Sequence, residues 1–302
     1  MNAHANTNTD ANPDLPGAQV LARDSFIEMN ARERARSLLD AEGQRELLGP
    51  FDALYSPWLP RQGIVAQADD GVIVLRGQLD GREAVVLAVE GRFQGGSIGE
   101  VCGAKIAGSL ELALLDCEAG RPVLPVLLLE TGGVRLQEAN LGLAAIAEIQ
   151  SAVVALRRHV PVVAVVAGMV GCFGGMSLVA GLCSHIVLTR QARLGMNGPE
   201  VIEQEAGLEE LDAGDRRLVW GLIGGEQRVA CGLADVLVED DAAQVRARVL
   251  DCTRAPPAAA RSSQVQLWRA RIEAAAADAV LDARALRGLW NGNAGQPAGD
   301  GR

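Results

Sequence analysis

The chain has 302 residues, 49% hydrophobic, 22% charged and only 3% aromatic, the balance of a globular protein with a substantial core of Ala, Val, Leu and Ile. A formal net charge of −10 argues against nucleic acid or an anionic membrane as the main partner, because phosphate recognition needs a concentrated positive face. No CxxC pair groups the six cysteines, which disfavours a zinc ribbon or a redox dithiol; they read as small buried thiols in a reducing compartment.

Residues 1–24 are polar, rich in Asn, Asp and Pro, and read as a disordered tail. They lack the basic start and apolar run of a signal peptide, and the longest apolar stretch, 160–175, is broken by glycines and a proline and is too short to span a bilayer. The expected location is the cytoplasm. Ser25 with Glu28 has capping-box spacing and predicts a helix ending at Gly43. After a Pro-punctuated loop, two alternating runs at 71–80 and 81–91 predict a hairpin turning at Asp80-Gly81. From there helices at 96–117, 134–158 and 174–182 alternate with apolar runs at 122–130, 160–168 and 184–189. Such runs, apolar at nearly every position, predict a parallel sheet covered on both faces. GGEQRVACGLADVLVED predicts helix, turn and strand, and 262–289 an Arg- and Ala-rich helix. The expected organisation is a tail at 1–24, one α/β domain at 25–256, a helical extension at 257–290 and a frayed end at 291–302.

Two glycine pairs stand out, Gly132-Gly133 in ETGGVRLQE and Gly174-Gly175 in AGMVGCFGGMS. Each follows a buried strand and precedes a helical pattern, an arrangement that leaves N–H groups unshielded at a helix N-terminus, where the macrodipole favours negative charge. Two such ends facing each other make an oxyanion hole; the alternative is two ordinary structural turns. A third segment, FQGGSIGEVCGAKI, is no dinucleotide fingerprint, since its spacing is wrong and no acidic residue caps a strand farther on. Its Gly95, Gly96 and Gly99 either allow close helix packing or open a helix end that, with Lys105, holds a phosphate or pantetheine arm. Lys105 is the single lysine among 28 basic residues, as GC-rich coding bias would produce.

Arg135, Gln137 and Glu138 lie just beyond the first pair, and Cys172 and Phe173 just before the second. No His stands near Cys172 in sequence to make a thiolate, so it is not read as a nucleophile. Glu200, Glu203 and Glu205 follow Pro199 as helix-start signals, His159 and His185 read as structural, and no metal-ligand spacing emerges.

Taken together, FQGGSIGEVCGAKI, ETGGVRLQEANLGL, PVVAVVAGMVGCFGGMS and RLGMNGPEVIEQ resemble the carboxyltransferase branch of the crotonase superfamily. Within it the chain is similar to the β subunits of biotin-independent malonate decarboxylases, from about Ser25 to about Arg287. The resemblance implies a ClpP/crotonase-like fold of stacked ββα turns in a single domain with C-terminal helices. It implies that backbone amides hold the thioester oxygen of an acyl group carried on phosphopantetheine. By position, Gly132, Gly133 and Val134 would supply one side of the hole and Gly174 and Gly175 the other. Gly95, Gly96, Ser97, Lys105, Arg135, Gln137, Glu138, Cys172 and Phe173 would line the substrate.

The implied reaction is decarboxylation of malonyl-S-acyl-carrier protein to acetyl-S-acyl-carrier protein and CO2. The implied partners are an obligate homologous γ subunit, an acyl-carrier protein subunit and an acyl-carrier-protein transferase subunit. Neither metal nor biotin is expected; the only prosthetic group is the phosphopantetheine delivered on the carrier. Loss of CO2 leaves a thioester enolate, so donors aimed at the oxygen lower the barrier without a base, and water or Glu138 would return the proton. The alternatives are a carboxyltransferase subunit of a biotin-dependent malonate decarboxylase, a non-catalytic scaffold subunit, and a crotonase-type acyl-CoA hydratase or isomerase. The last usually carries carboxylates just past the second glycine motif, where this chain has Met176, Ser177 and Leu178.

Overall fold

A computed structural model describes residues 23–63, 71–255, 260–273 and 282–290. Most of the expected N-terminal tail, the C-terminal end and the middle of the expected 262–289 helix lie outside the described residues. The first helix, α1 (Ala31–Leu38), starts later than Ser25. Its capping box is Asn30 with Glu33: Glu33 N donates to Asn30 Oδ1 at 3.0 Å, and Asn30 N to Glu33 Oε2 at 2.9 Å. Ser25 Oγ accepts from Glu28 N in a preceding turn. It cannot continue into helix because Asp240 draws the segment across the molecule, taking Ser25 Oγ at 2.6 Å and Ile27 N at 2.8 Å.

A short edge strand with no alternation to announce it, β1 (Arg45–Leu48), pairs with β2 (Val72–Leu79). Then β2 and β3 (Arg82–Val89) form the expected hairpin. Asp80 (φ 55°) and Gly81 (φ 71°) are both left-handed, as the right-handed strand twist demands of a two-residue turn. The chain continues through α2 (Glu100–Glu118), β4 (Leu124–Leu128), α3 (Asn140–Leu156), β5 (Val163–Val166), α4 (Gly175–Leu182) and β6 (His185–Thr189). Three helices, α5 (Pro199–Ala206), α6 (Arg216–Ile223) and α7 (Gly225–Ala230), lead into β7 (Val236–Val238). The described C-terminal elements are α8 (Ala242–Arg254), α9 (Val265–Glu273) and α10 (Ala283–Trp290).

The seven strands lie in chain order, antiparallel from β1 to β3 and parallel from β3 to β7. Every residue of β4, β5 and β6 is buried, matching the continuous apolar runs. Helices α2, α3 and α4 pack in series, and a Cβ on Gly103 would strike Ala145 on α3, so that glycine sets the α2–α3 approach. At the opposite end of the chain order α1 meets α8, where Arg246 Nε donates to the Leu38 carbonyl at 3.0 Å.

Beyond the C-terminal ends of the strands a second ladder of isolated parallel bridges joins Ile98 to Val134, Thr131 to Cys172 and Cys172 to Leu194. Sheet strand, bridge segment and helix recur at β3–Ile98–α2, β4–Thr131–α3 and β5–Cys172–α4. These are the stacked ββα turns the motifs imply. All the glycine segments fall on the second ladder, at the carboxyl edge of the parallel strands, where open α/β sheets bind ligands.

Candidate active site

The two glycine pairs meet main chain to main chain. Gly133 (φ +110°) and Gly174 (φ +59°) occupy backbone conformations that side chains disfavour; a Cβ on Gly133 would lie 3.3 Å from Gly174 Cα, and one on Gly174 3.2 Å from Gly133 Cα. Most amides of the two motifs are turned into the protein. Gly132 N donates to the Gly95 carbonyl (2.9 Å), Gly133 N to Thr131 Oγ1 (3.1 Å) and Gly174 N to the Met196 carbonyl (2.8 Å). The amides of Val134 and Gly175 have no acceptor among the described residues.

The reason differs at the two positions. In the Ile98–Val134 bridge, Ile98 N donates to Gly133 O (2.8 Å) and Arg135 N to Ile98 O (2.7 Å), so Val134's own amide is left off the ladder. Gly175 is the first residue of α4, whose first-turn amides lack helical partners and carry the positive end of the dipole. A Cβ on Gly174 would sit 3.9 Å from Val134 N, which puts the two orphan amides on touching loops. The expectation that both glycine pairs open helices is corrected for the first: residues 134–135 are extended, Leu136–Glu138 is a single 3-10 turn, and α3 begins only at Asn140.

Most of the other anticipated residues converge on the same knot. Gly95 accepts from Gly132, and at Gly96 (φ +65°) only glycine fits, because a Cβ there would collide with the Glu130 carbonyl. Ser97 is held by Arg135, whose Nε donates to Ser97 Oγ (3.2 Å) and Nη2 to Ser97 O (3.0 Å). Arg135 and Glu138 form a buried ion pair at 2.9 Å, with side chains 3% and 5% exposed. Glu138 Oε2 also accepts Glu100 N (2.6 Å) and so caps α2. Both carboxylate oxygens therefore act as acceptors, and Glu138 braces Arg135 against the α2 N-terminus.

Phe173 is buried under the Arg193 guanidinium, 5.7 Å from its ring centre. Cys172 is fully buried, and burial pushes its thiol well up from the usual range, with Cys183 and Glu130 adding to the shift, so no thiolate forms there. Two anticipated residues are placed elsewhere. Gln137 is exposed on the 3-10 turn. Lys105, expected to assist a phosphate arm, is instead buried in α2 and turned to the Gly49 carbonyl at 2.9 Å, because the loop after β1 needs a donor there.

Three charged residues near the site were assigned no role from the sequence. Glu130, the last residue of the apolar run leading to Thr131, is 5% exposed; its carboxylate accepts Val170 N (2.6 Å), Gly171 N (3.0 Å) and Arg34 Nη1 (2.7 Å). Arg193 holds the same loop from the other side, donating to Met169 O at 2.7 Å. An acid closing the apolar run 122–130 was the available signal for Glu130; no local pattern gives Arg34 or Arg193 this part. Beside the second motif a cavity of about 700 Å³ is lined by Ser177, Met196, Leu178, Trp268 and Trp290 among others. No group of three or more His, Cys, Asp or Glu that could hold a metal ion occurs among the described residues, and no described helix is long and apolar enough to cross a membrane.

Comparison with known proteins agrees with this architecture. The malonyl-S-ACP:biotin-protein carboxyltransferase MADC of Malonomonas rubra is 43% identical over 226 residues, 72% of this chain and 71% of that protein. The methylmalonyl-CoA carboxyltransferase 12S subunit of Propionibacterium freudenreichii subsp. shermanii is 32% identical over 74% of this chain but only 40% of its own length. Among solved structures, a chain of a Pseudomonas malonate decarboxylase hetero-tetramer in complex with malonate superposes with a TM-score of 0.85 at 59% identity, covering 90% of this chain and 99% of that one. Residues 28–274 match the carboxyl transferase domain; with most of its length so matched, the chain belongs to the carboxyl transferase domain family.

Proposed function

We propose that the chain is a malonate decarboxylase subunit that, with a homologous partner subunit, converts malonyl-S-acyl-carrier protein to acetyl-S-acyl-carrier protein and CO2. The observation that carries this reading is the pair of orphan amides, Val134 and Gly175, on loops in main-chain contact. It is joined to 59% identity with a chain of a malonate decarboxylase. Scission of the malonyl C–C bond sends its electron pair toward the thioester, and the carbonyl oxygen becomes an enolate oxygen. Two fixed amides there stabilise the transition state more than the ground state, each by about 3 kcal/mol.

In this reading Gly132, Gly133 and Gly174 shape the hole while Val134 and Gly175 donate. Gly95, Gly96 and Ser97, pinned by Gly132 and Arg135, form the wall along which the pantetheine arm of the carrier approaches. With Glu138 committed to Arg135 and Glu100, water protonates the acetyl carbanion. Large apolar side chains stay exposed around the knot, among them Leu136, Leu143, Met169 and Met196. They fit burial against a partner, and the 12S relative, more than twice the matched length, has room for a second such unit in one chain. An acyl-carrier protein and its transferase complete the proposed assembly in the cytoplasm.

The relation to MADC favours one second reading, in which the same site passes the carboxyl group to a biotin protein. Purified complex assayed on malonyl-carrier substrate with avidin present separates the two. The decarboxylase keeps releasing CO2 at an unchanged rate, whereas arrest by avidin establishes the biotin-dependent transfer.

A further inference from the structure

We propose that Glu130 and Arg193 are positioning residues acting as a two-sided clamp on the 168–171 loop, which fixes the spacing between the Val134 and Gly175 amides. The proposal rests on the decarboxylase reading of that site. The loop runs from the end of β5 to the second glycine pair, and its main chain is gripped on its amide side by an anion and on its carbonyl side by a cation. Glu130 Oε1 accepts two consecutive amides, Val170 N and Gly171 N, at 2.6 and 3.0 Å. Arg193 Nη2 donates to the preceding carbonyls, Met169 O at 2.7 Å and Val170 O at 3.3 Å. Charged partners make each of these stronger than its neutral counterpart.

Both grips are themselves held. Glu130 Oε2 takes Arg34 Nη1 at 2.7 Å in a pair whose side chains are 10% and 6% exposed. The Arg193 guanidinium lies over the Phe173 ring at 5.7 Å and the Trp220 ring at 5.1 Å. The packing has been cleared for the glutamate: a Cβ on Gly168 would fall on its carboxylate, and one on Gly91 on its Cγ. Three separate segments are thus bare of side chains where they pass Glu130 or its carbonyl, at Gly91, Gly96 and Gly168.

The clamp bears on chemistry through connectivity. Glu130 immediately precedes Thr131-Gly132-Gly133, so the residue that starts the first motif also grips the approach to the second. Thr131 N donates to Gly171 O (2.8 Å) and Phe173 N to Thr131 O (3.0 Å), which carries the restraint to Gly174 and Gly175. A shift of the loop would move Gly175 relative to Val134 while leaving both amides present. Misplacement on the scale of 1 Å costs about a hundred-fold in rate.

The test uses the assembled complex with Glu130→Gln, Arg193→Met and the double variant. Gln offers one neutral acceptor and sets an NH2 group against either Arg34 or the loop amides. The expected result is a kcat lowered about a hundred-fold in each single variant, with KM for the malonyl-carrier substrate little changed. The double variant should be no slower than the worse single, because both release the same loop. Amide hydrogen exchange should rise at 170–175 and stay at wild-type protection in the sheet. Multiplying kcat losses in the double variant would overturn the clamp. Faster exchange spread through the sheet, with kcat per folded complex unchanged, would do the same. If the wild-type complex releases no CO2, it is the decarboxylase reading that falls, and the local exchange pattern still decides whether the clamp exists.

Discussion

Gly133 is the residue on which the geometry turns. Its φ of +110° and a Cβ position 3.3 Å from Gly174 Cα mean that a single methyl strains its own backbone and pushes the two loops apart. Gly133→Ala is therefore expected to lower kcat about a hundred-fold while the complex still assembles. A scaffold role predicts the reverse, lost assembly with turnover per assembled complex intact, and size-exclusion chromatography alongside the CO2 assay tells them apart. Cys172 sits between the motifs without serving as a nucleophile, since burial holds its thiol protonated. Iodoacetamide should leave it unmodified in the native complex, and Cys172→Ala should leave the pH profile of kcat unmoved. A profile that shifts would give the thiol a chemical part.

Elements show why some of this was legible beforehand. Runs apolar at nearly every position marked β4, β5 and β6 as buried on both faces, and Asp80-Gly81 marked the hairpin, because each signal is local in sequence. Ser25 has the right capping spacing, yet α1 starts later because the Ser25 hydroxyl is claimed by Asp240, 215 residues on. No local pattern carries that contact. The glycine pairs announced the loops, but which amides stay free depends on the Ile98–Val134 bridge and the Met196 carbonyl. Only the folded arrangement singles out Val134 and Gly175. Likewise the bracing of Glu138 between Arg135 and the α2 N-terminus rests on a contact with Glu100, distant in sequence from the first motif. Removing one partner of so buried a pair, as in Arg135→Met, should destabilise the protein by about 3 kcal/mol. Urea unfolding reads this directly, and a change within error would mean the pair contributes little.

Across the whole molecule, buried thiols give stability a pH dependence of known sign. Burial raises Cys183 from an ordinary 9.0 to about 12 and Cys252 to about 11, and pushes Cys172 up as well. A raised folded value means the contribution is fully present below pH 9.0 and is lost as pH climbs toward the folded values. The unfolded chain then ionises thiols that the folded chain keeps neutral. Each such thiol should lower stability by about 1.4 kcal/mol per pH unit in that window. Melting temperatures measured from pH 8 upward should fall with increasing slope, and Cys183→Ala should flatten the curve; an unchanged slope would assign the alkaline loss to other groups.

In the proposed function, amides from two neighbouring ββα turns receive one oxygen. The most direct measurement is a crystal structure of the assembled complex with a malonyl thioester analogue that cannot lose CO2. The expected result places the thioester carbonyl oxygen about 2.9 Å from both Val134 N and Gly175 N. An analogue bound productively with that oxygen on the partner subunit, or held by side chains with either amide left out, would contradict it.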